Sequence, residues 1–259
     1  MNLKNKKIFY KPWPYMVIEN FLKKDEINKI KNEILVNNDF DDKVMTNRRR
    51  INKGSTNFIN LTKKSKAIKN IFNKLNSQKF YQEVSKIFDK KKLTWIPDEN
   101  FSLYSKDFFG EQKFSFKEKI TKILSFFNLI KTSLYLDIDF SVSEKGYYRA
   151  AHRDRDTRIL NFLIYLNNFN KKNGGSLEIH KYKYSSNLQE KYPRFPKKKD
   201  TNMLKKIPPK SGRMVIFLST PDSYHAAEKI FMGNSKRIFI YGSFSLNKKV
   251  SWRKNNFIK

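Results

Sequence analysis

The 259-residue chain holds three histidines, His152, His180 and His225, and no cysteine. A metal site must therefore be built from imidazole and carboxylate. Disulfide scaffolds, thiolate zinc sites and cysteine nucleophiles are excluded. His152 sits in AHRDRD, two residues before Asp154. In an extended segment residues two apart project to one side, so this pair can face one ion from a strand edge. His225, in PDSYHAAEKI, lies beyond three further expected strands. It can supply a third ligand only where the sheet folds its strand back beside the first, as a jelly roll does. Two imidazoles and a carboxylate on one face of an octahedral metal leave three positions open for substrate and oxygen, the arrangement of non-heme Fe(II) oxygenases. His180 shares strand parity with Glu178 and is expected on the solvent side, as are Asp137 and Asp139.

The elements that must position these groups change character midway. The first half reads as helical. Asp25 can cap a stripe of Ile27, Ile30, Ile34 and Leu35, and Ser65 precedes Ile68, Ile71, Phe72 and Leu75. Phe80, Tyr81, Val84, Ile87 and Phe88 continue in the same style. Ser115 and Glu118 resemble a capping box opening a stripe through Phe116, Ile120, Ile123, Leu124, Phe127 and Ile130. All of these stripes are expected to be core. From about residue 133 the text becomes short apolar runs: SLYLDIDFSV, RILNFLIYL, GSLEIH, RMVIFLS and RIFIYGSF. They are strand-length, rich in β-branched and aromatic residues, and bounded by turn residues. Short strands without intervening helices indicate an antiparallel sandwich, jelly roll or barrel.

With those blocks in view, the sequence resembles the 2-oxoglutarate/Fe(II)-dependent dioxygenase superfamily, in its prolyl 4-hydroxylase-like branch. The resemblance runs through PWPYMVIENFL, GYYRAAHRDRDTRILNFLIYLN, GGSLEI, PPKSGRMVIFLS, YHAAEKI and KRIFIYGSF, in the family's order. It covers residues 132–246 well and 12–22 loosely. It implies an α+β protein: a double-stranded β-helix (jelly-roll) core with N-terminal helices packed against one sheet. One domain would span 1–259. It would comprise a mostly helical part at 1–131, the core at 132–246, a basic loop insertion at 181–206 and a basic tail at 247–259.

The resemblance also implies the chemistry: hydroxylation of an unidentified substrate, with succinate and carbon dioxide as co-products. Fe(II) would be the metal and 2-oxoglutarate the cosubstrate, with ascorbate as a possible reductant. His152, Asp154 and His225 match the iron ligands, and no catalytic residue beyond them is implied. Arg237 matches the basic residue that grips the distal carboxylate of 2-oxoglutarate, a task suited to a guanidinium because it forms two parallel hydrogen bonds. Strand parity lets only one of Lys236 and Arg237 face the pocket, and Phe239 and Tyr241 share the side of Arg237. Tyr165 matches a tyrosine that in some relatives bonds the same carboxylate. Asn161 shares its parity, Tyr148 is a further pocket candidate, and Arg158 is placed to meet substrate. Arg153 and Arg155 are expected to point away from the iron.

Charge leaves a second reading open. Lys and Arg number 55 against 24 acidic residues, a formal net charge of +31. The excess is 44 Lys against 11 Arg, with 27 Asn and only 5 Ala and 8 Gly, the bias that A/T-rich codons produce without selection for a partner. Such a field still attracts polyanions without sequence preference, so weak non-specific nucleic-acid binding is expected. The alternative to an enzyme is a non-catalytic polyanion- or nucleic-acid-binding protein on a degenerate oxygenase scaffold. The substrate of an enzyme could be a small molecule, a peptide or an anionic polymer. No apolar run is long enough to span a membrane, and the expected location is cytoplasmic.

Overall fold

The computed structural model describes residues 3, 6–37, 39–45, 47–98, 103, 120, 123–124, 134–184, 192–231 and 236–258. Strands β1 (Lys6–Phe9) and β2 (Tyr15–Ile18) precede helix α1 (Lys24–Val36). Strands β3 (Asp42–Met45) and β4 (Arg48–Asn52) follow. Helices α2 (Thr56–Lys64), α3 (Lys66–Leu75) and α4 (Gln78–Ser85) then lead to β5 (Trp95–Pro97). The second half supplies β6 (Leu134–Ser143), β7 (Arg149–His152), β8 (Arg158–Tyr165), β9 (Leu177–Tyr182) and β10 (Thr201–Ile207). It ends with β11 (Met214–Leu218), β12 (His225–Ala227), β13 (Arg237–Leu246) and β14 (Trp252–Lys254).

Two antiparallel sheets make the jelly roll. The larger runs β1-β2-β11-β8-β13-β6-β4-β3, the smaller β10-β9-β12-β7. β8 is buried from Ile159 to Tyr165, so it reads as a nearly continuous apolar run rather than an alternation. Its two faces serve different cores. Leu160, Phe162 and Ile164 join the helices, while Leu163 and Tyr165 join Trp13, Val215, Phe217 and Phe239 between the sheets. The helices cover the outer face of the large sheet through aromatic contacts. Phe80 lies 5.8 Å from Phe162, Phe58 lies 5.5 Å from Phe140, and Tyr81 lies 5.0 Å from Phe244. Helix starts follow local chemistry: the hydroxyls of Ser55, Ser65 and Ser77 accept from the backbone N–H of Phe58, Ile68 and Phe80.

Several sequence expectations need correction. Helix α1 starts one residue before Asp25, which lies in its first turn with Glu26, and the Glu26 carboxylate accepts the Lys23 N–H at 2.9 Å. Leu35 is 41% exposed and Ile123 56% exposed, so neither belongs to the core. The Ser115–Glu118 box, Phe116, Phe127 and Ile130 lie outside the described residues. The first 131 residues are not simply helical. They contribute β1 and β2 to one flank of the large sheet and β4 and β3 to the other. Of the stretch 181–206, expected as an exposed loop or hairpin, the described ends pair as a hairpin does, β10 running antiparallel to β9. The basic tail is anchored: β14 pairs with β5, and Trp252 is buried. Hydrophobic pattern could not reveal these strands: β1, β2, β3, β5 and β14 are only three or four residues long, β4 is mostly arginine, and β10 (TNMLKKI) is exposed from Asn202 to Lys206. No helix among the described residues is long and apolar enough to cross a membrane.

Candidate metal and cosubstrate site

β12 returns beside β7 and pairs with it antiparallel, placing His225 opposite His152. Their rings lie 4.4 Å apart, and Asp154 follows just beyond the strand end. All three side chains are buried, and their ligand atoms lie within 4.8 Å of one another. His225 Nε2 and Asp154 Oδ2 are 3.5 Å apart. Octahedral bonds of about 2.1 Å put neighbouring ligands about 3 Å apart, so the three need only a small inward movement to share one ion.

The tautomers are fixed by the backbone. His152 Nδ1 lies 2.9 Å from the Ala150 carbonyl and His225 Nδ1 lies 3.1 Å from the Ser223 carbonyl. A carbonyl only accepts, so both Nδ1 atoms carry hydrogen and both Nε2 lone pairs are free to face a metal. Burial is the main reason both imidazoles sit below their usual basicity. Burial alone would raise the Asp154 carboxyl, but the Arg158 guanidinium beside it outweighs this and keeps it ionised. Arg158 donates to Asp154 Oδ1 at 2.6 Å and also bonds the Tyr241 hydroxyl. That leaves Asp154 Oδ2 on the His225 side. The group is a neutral, neutral, anionic donor set suited to a divalent cation with N and O preference.

The inner face of the large sheet closes the other side of the cavity, whose lining includes Tyr147, Tyr165, Arg237 and Phe239. Arg237 is 2% exposed. Its Nε donates to Ser143 Oγ at 3.0 Å, its Nη1 to the Gly175 carbonyl at 2.5 Å, and its guanidinium lies over the Phe239 and Tyr147 rings. Among the described residues it has no carboxylate partner. On the neighbouring strand the hydroxyl of Tyr165 is fully buried and has no hydrogen-bond partner among the described residues. A buried cation without a counterion and a buried donor without an acceptor are both costly. Both are satisfied together by a carboxylate brought in by a ligand, so the residues fit 2-oxoglutarate. Lys236 is exposed and pairs with Glu144 at 3.8 Å, as strand parity requires.

Other expected residues land differently. Tyr148 is 58% exposed and points away from the cavity. The cause is a bulge: β7 takes three residues from Arg149 to His152 where β12 takes two from Ala227 to His225. The extra residue inverts side-chain parity, so Tyr147 and Arg149 line the cavity instead. Asn161 is buried behind the cavity, and the Tyr241 hydroxyl lies 3.3 Å from its Oδ1. Arg158 is committed to Asp154 rather than open to solvent. His180 is buried, not solvent-side, with Nε2 3.2 Å from Glu178 Oε2, and lies outside the metal cluster. Asp139 is also buried. It pairs with Arg48 at 3.0 Å, and the Arg48 guanidinium lies over Phe239. Sequence reasoning missed Arg48 because its partner is on a distant strand. Arg153 points away as expected, donating to the Tyr192 carbonyl and pairing with Asp156.

Comparison with known proteins bears on this geometry. Residues 138–244 match the model of the 2OG-Fe(II) oxygenase superfamily, a span running from β6 through β13 and enclosing the whole cluster. That stretch, less than half of the chain, is similar to a 2OG-Fe(II) oxygenase core. A prolyl 4-hydroxylase structure from Phytophthora capsici is 13% identical with a TM-score of 0.52, covering 90% of this chain and 58% of that one. The epimerase SnoN from nogalamycin biosynthesis is 9% identical with a TM-score of 0.51, covering 93% of this chain and 80% of that one. A Pseudomonas putida prolyl 4-hydroxylase is 14% identical with a TM-score of 0.45, covering 89% and 91%. The two likenesses above 0.5 concern the double-stranded β-helix fold. No curated protein matches the chain.

Proposed function

We propose that this protein is an oxygenase that hydroxylates its substrate with His152, Asp154 and His225 holding Fe(II), and with Arg237 and Tyr165 holding the distal carboxylate of 2-oxoglutarate. The observation that carries the reading is the pairing of two incomplete groups across one cavity. On the small-sheet side, three buried ligand atoms converge within reach of one ion. On the large sheet, a buried guanidinium lacks a carboxylate partner, among the described residues, beside a buried phenol with no acceptor among them. When bound, the metal with 2-oxoglutarate and oxygen supplies the oxidising power, yielding succinate, carbon dioxide and an oxidised substrate.

The chain's own residues do the rest. The Ala150 and Ser223 carbonyls hold the imidazoles in the metal-binding tautomer. Arg158 fixes the Asp154 carboxylate in one rotamer. Ser143 and the Gly175 carbonyl aim the Arg237 guanidinium. Leu163, Leu177 and Phe239 keep the cavity walls apolar, which limits water and strengthens each charged contact. The overall positive charge adds a weak attraction for polyanions and is not needed for the chemistry. The test is succinate release from 2-oxoglutarate with Fe(II) and ascorbate. Turnover should be lost in Asp154→Ala, and its absence from the wild-type protein with every candidate substrate would refute the reading.

A further inference from the structure

The bulge in β7 turns Arg149 into the cavity lining, where it is partly buried and makes no side-chain hydrogen bond or ion pair among the described residues. A second arginine reaches the same region from the loop before β10. The Arg194 carbonyl accepts the Arg153 N–H at 3.0 Å, pinning that loop to the segment between His152 and Asp154. The ring of Phe195 lies nearly parallel to that of His152, 6.3 Å away, and the Arg194 guanidinium sits 4.8 Å over the Phe195 ring. Arg194 Nε is buried without a hydrogen-bond partner among the described residues. Burial disfavours the Arg194 charge, and Arg155, Arg149 and Arg158 act on it as like charges, opposed by Asp154.

The neighbouring carboxylates are already taken. Asp154 is bonded by Arg158, Asp156 by Arg153, and Asp139 by Arg48. In the proposed active complex, 2-oxoglutarate would neutralise Arg237. Two guanidiniums would then remain at the mouth, one of them with a dehydrated and unsatisfied N–H, beside an exposed aromatic ring. Arranging like charges around a partly dry mouth is unfavourable unless an anion completes it.

We propose that the substrate of this oxygenase is an anion whose phosphate or carboxylate group is gripped by Arg149 and Arg194 at the mouth of the cavity, beside Phe195. The proposal rests on the oxygenase reading, since the gripped molecule is the one to be oxidised. Guanidiniums form paired hydrogen bonds with both anion types, so both remain within the one chemistry.

The test is calorimetric titration of the protein with inorganic phosphate, and separately with acetate, with 2-oxoglutarate in excess to fill Arg237. Wild type should bind at least one anion, and the R149Q/R194Q double variant about tenfold or more weakly. An R149K/R194K variant should fall between them, which separates lost charge from lost fold. Lys181→Gln with Lys183→Gln should bind like wild type, showing that general basicity is not the cause. Phosphate binding tighter than acetate would assign a phosphate ester; the reverse would assign a carboxylate. Failure of wild type to bind either anion, or equal binding by wild type and R149Q/R194Q, would overturn the proposal. Consumption of 2-oxoglutarate by wild type is measured alongside. If it is absent, the oxygenase reading falls and the substrate claim falls with it, whatever phosphate does. If it is present while the anion result is negative, only the mouth assignment fails.

Discussion

Each imidazole of the triad spends its Nδ1 hydrogen on a carbonyl two residues back in its own chain, so the metal-facing tautomer needs no distant support. Asp154 is different, because its rotamer depends on Arg158 and Tyr241. His225→Ala or Asp154→Ala should abolish tight Fe(II) binding, while His180→Ala should leave it intact; equilibrium dialysis reads both. Arg158→Ala should keep the ligands yet weaken Fe(II) by about 10–100-fold, the usual cost of losing a group that orients a ligand. Arg237→Ala should weaken 2-oxoglutarate by about 10–150-fold while sparing iron, and Lys236→Ala should change little. The triad and Arg237 were legible in the sequence because two-residue alternation survives near Asp154 and along β13. Tyr148 was misplaced because one bulged residue inverts that alternation between Arg149 and His152. Arg149 was invisible for the same reason.

At the scale of elements, β13 joins both halves of the site. One face carries Arg237, Phe239 and Tyr241 toward the cavity, and the other packs Ile238, Ile240 and Phe244 against the helices. Between them Gly242 lets the Phe162 ring lie flat on the strand, since a Cβ there would stand 2.1 Å from the ring. Phe162 is itself wedged against Phe80 and Phe244 and cannot yield. Gly242→Ala should therefore destabilise the protein by about 1–3 kcal/mol, measured by urea unfolding, without changing any cavity side chain. Five strands, β6, β8, β9, β11 and β13, and three of the four helices α1–α4 among the described residues could be read from periodicity because each buries an apolar face. The β3–β4 hairpin could not. The sequence RRRIN looks like a solvated run, and it becomes a strand only because Asp139 and Ser141 on β6 receive Arg48.

Across the whole molecule, charge sets two expectations. Asp222 has its carboxyl raised to about 6, chiefly by burial, with Thr220 donating to it at 2.7 Å. The folded state therefore keeps a proton that the unfolded chain has already lost. The resulting cost is absent below about pH 4, grows as pH rises towards 6, and is full above it. The residue is partly exposed, so this cost is of the order of 2 kcal/mol rather than more. Asp222→Asn should raise the melting temperature at pH 8 and leave it nearly unchanged at pH 4. The net charge of +31 should give nucleic-acid binding that is sequence-blind and lost with salt, with a slope of about 0.9 in log affinity per phosphate contact on duplex DNA. A gel-shift series over rising salt checks this, and persistence at high salt would count against it.

The central position of β13 also bears on how the protein is made. It is hydrogen-bonded to β6 on one side and β8 on the other, yet its residues come late in the chain. During synthesis the flanking strands and the helical layer leave the ribosome first, and they must wait with unpaired edges for the strand that unites them. A fold with such distant partners has a high contact order and should form slowly and all at once. Nascent chains stalled before Arg237 should thus be sensitive to protease throughout. Resistance should appear in one step once β13 has cleared the exit tunnel. The strand that completes the sheet also delivers Arg237, so the cosubstrate pocket should have no stage of partial competence.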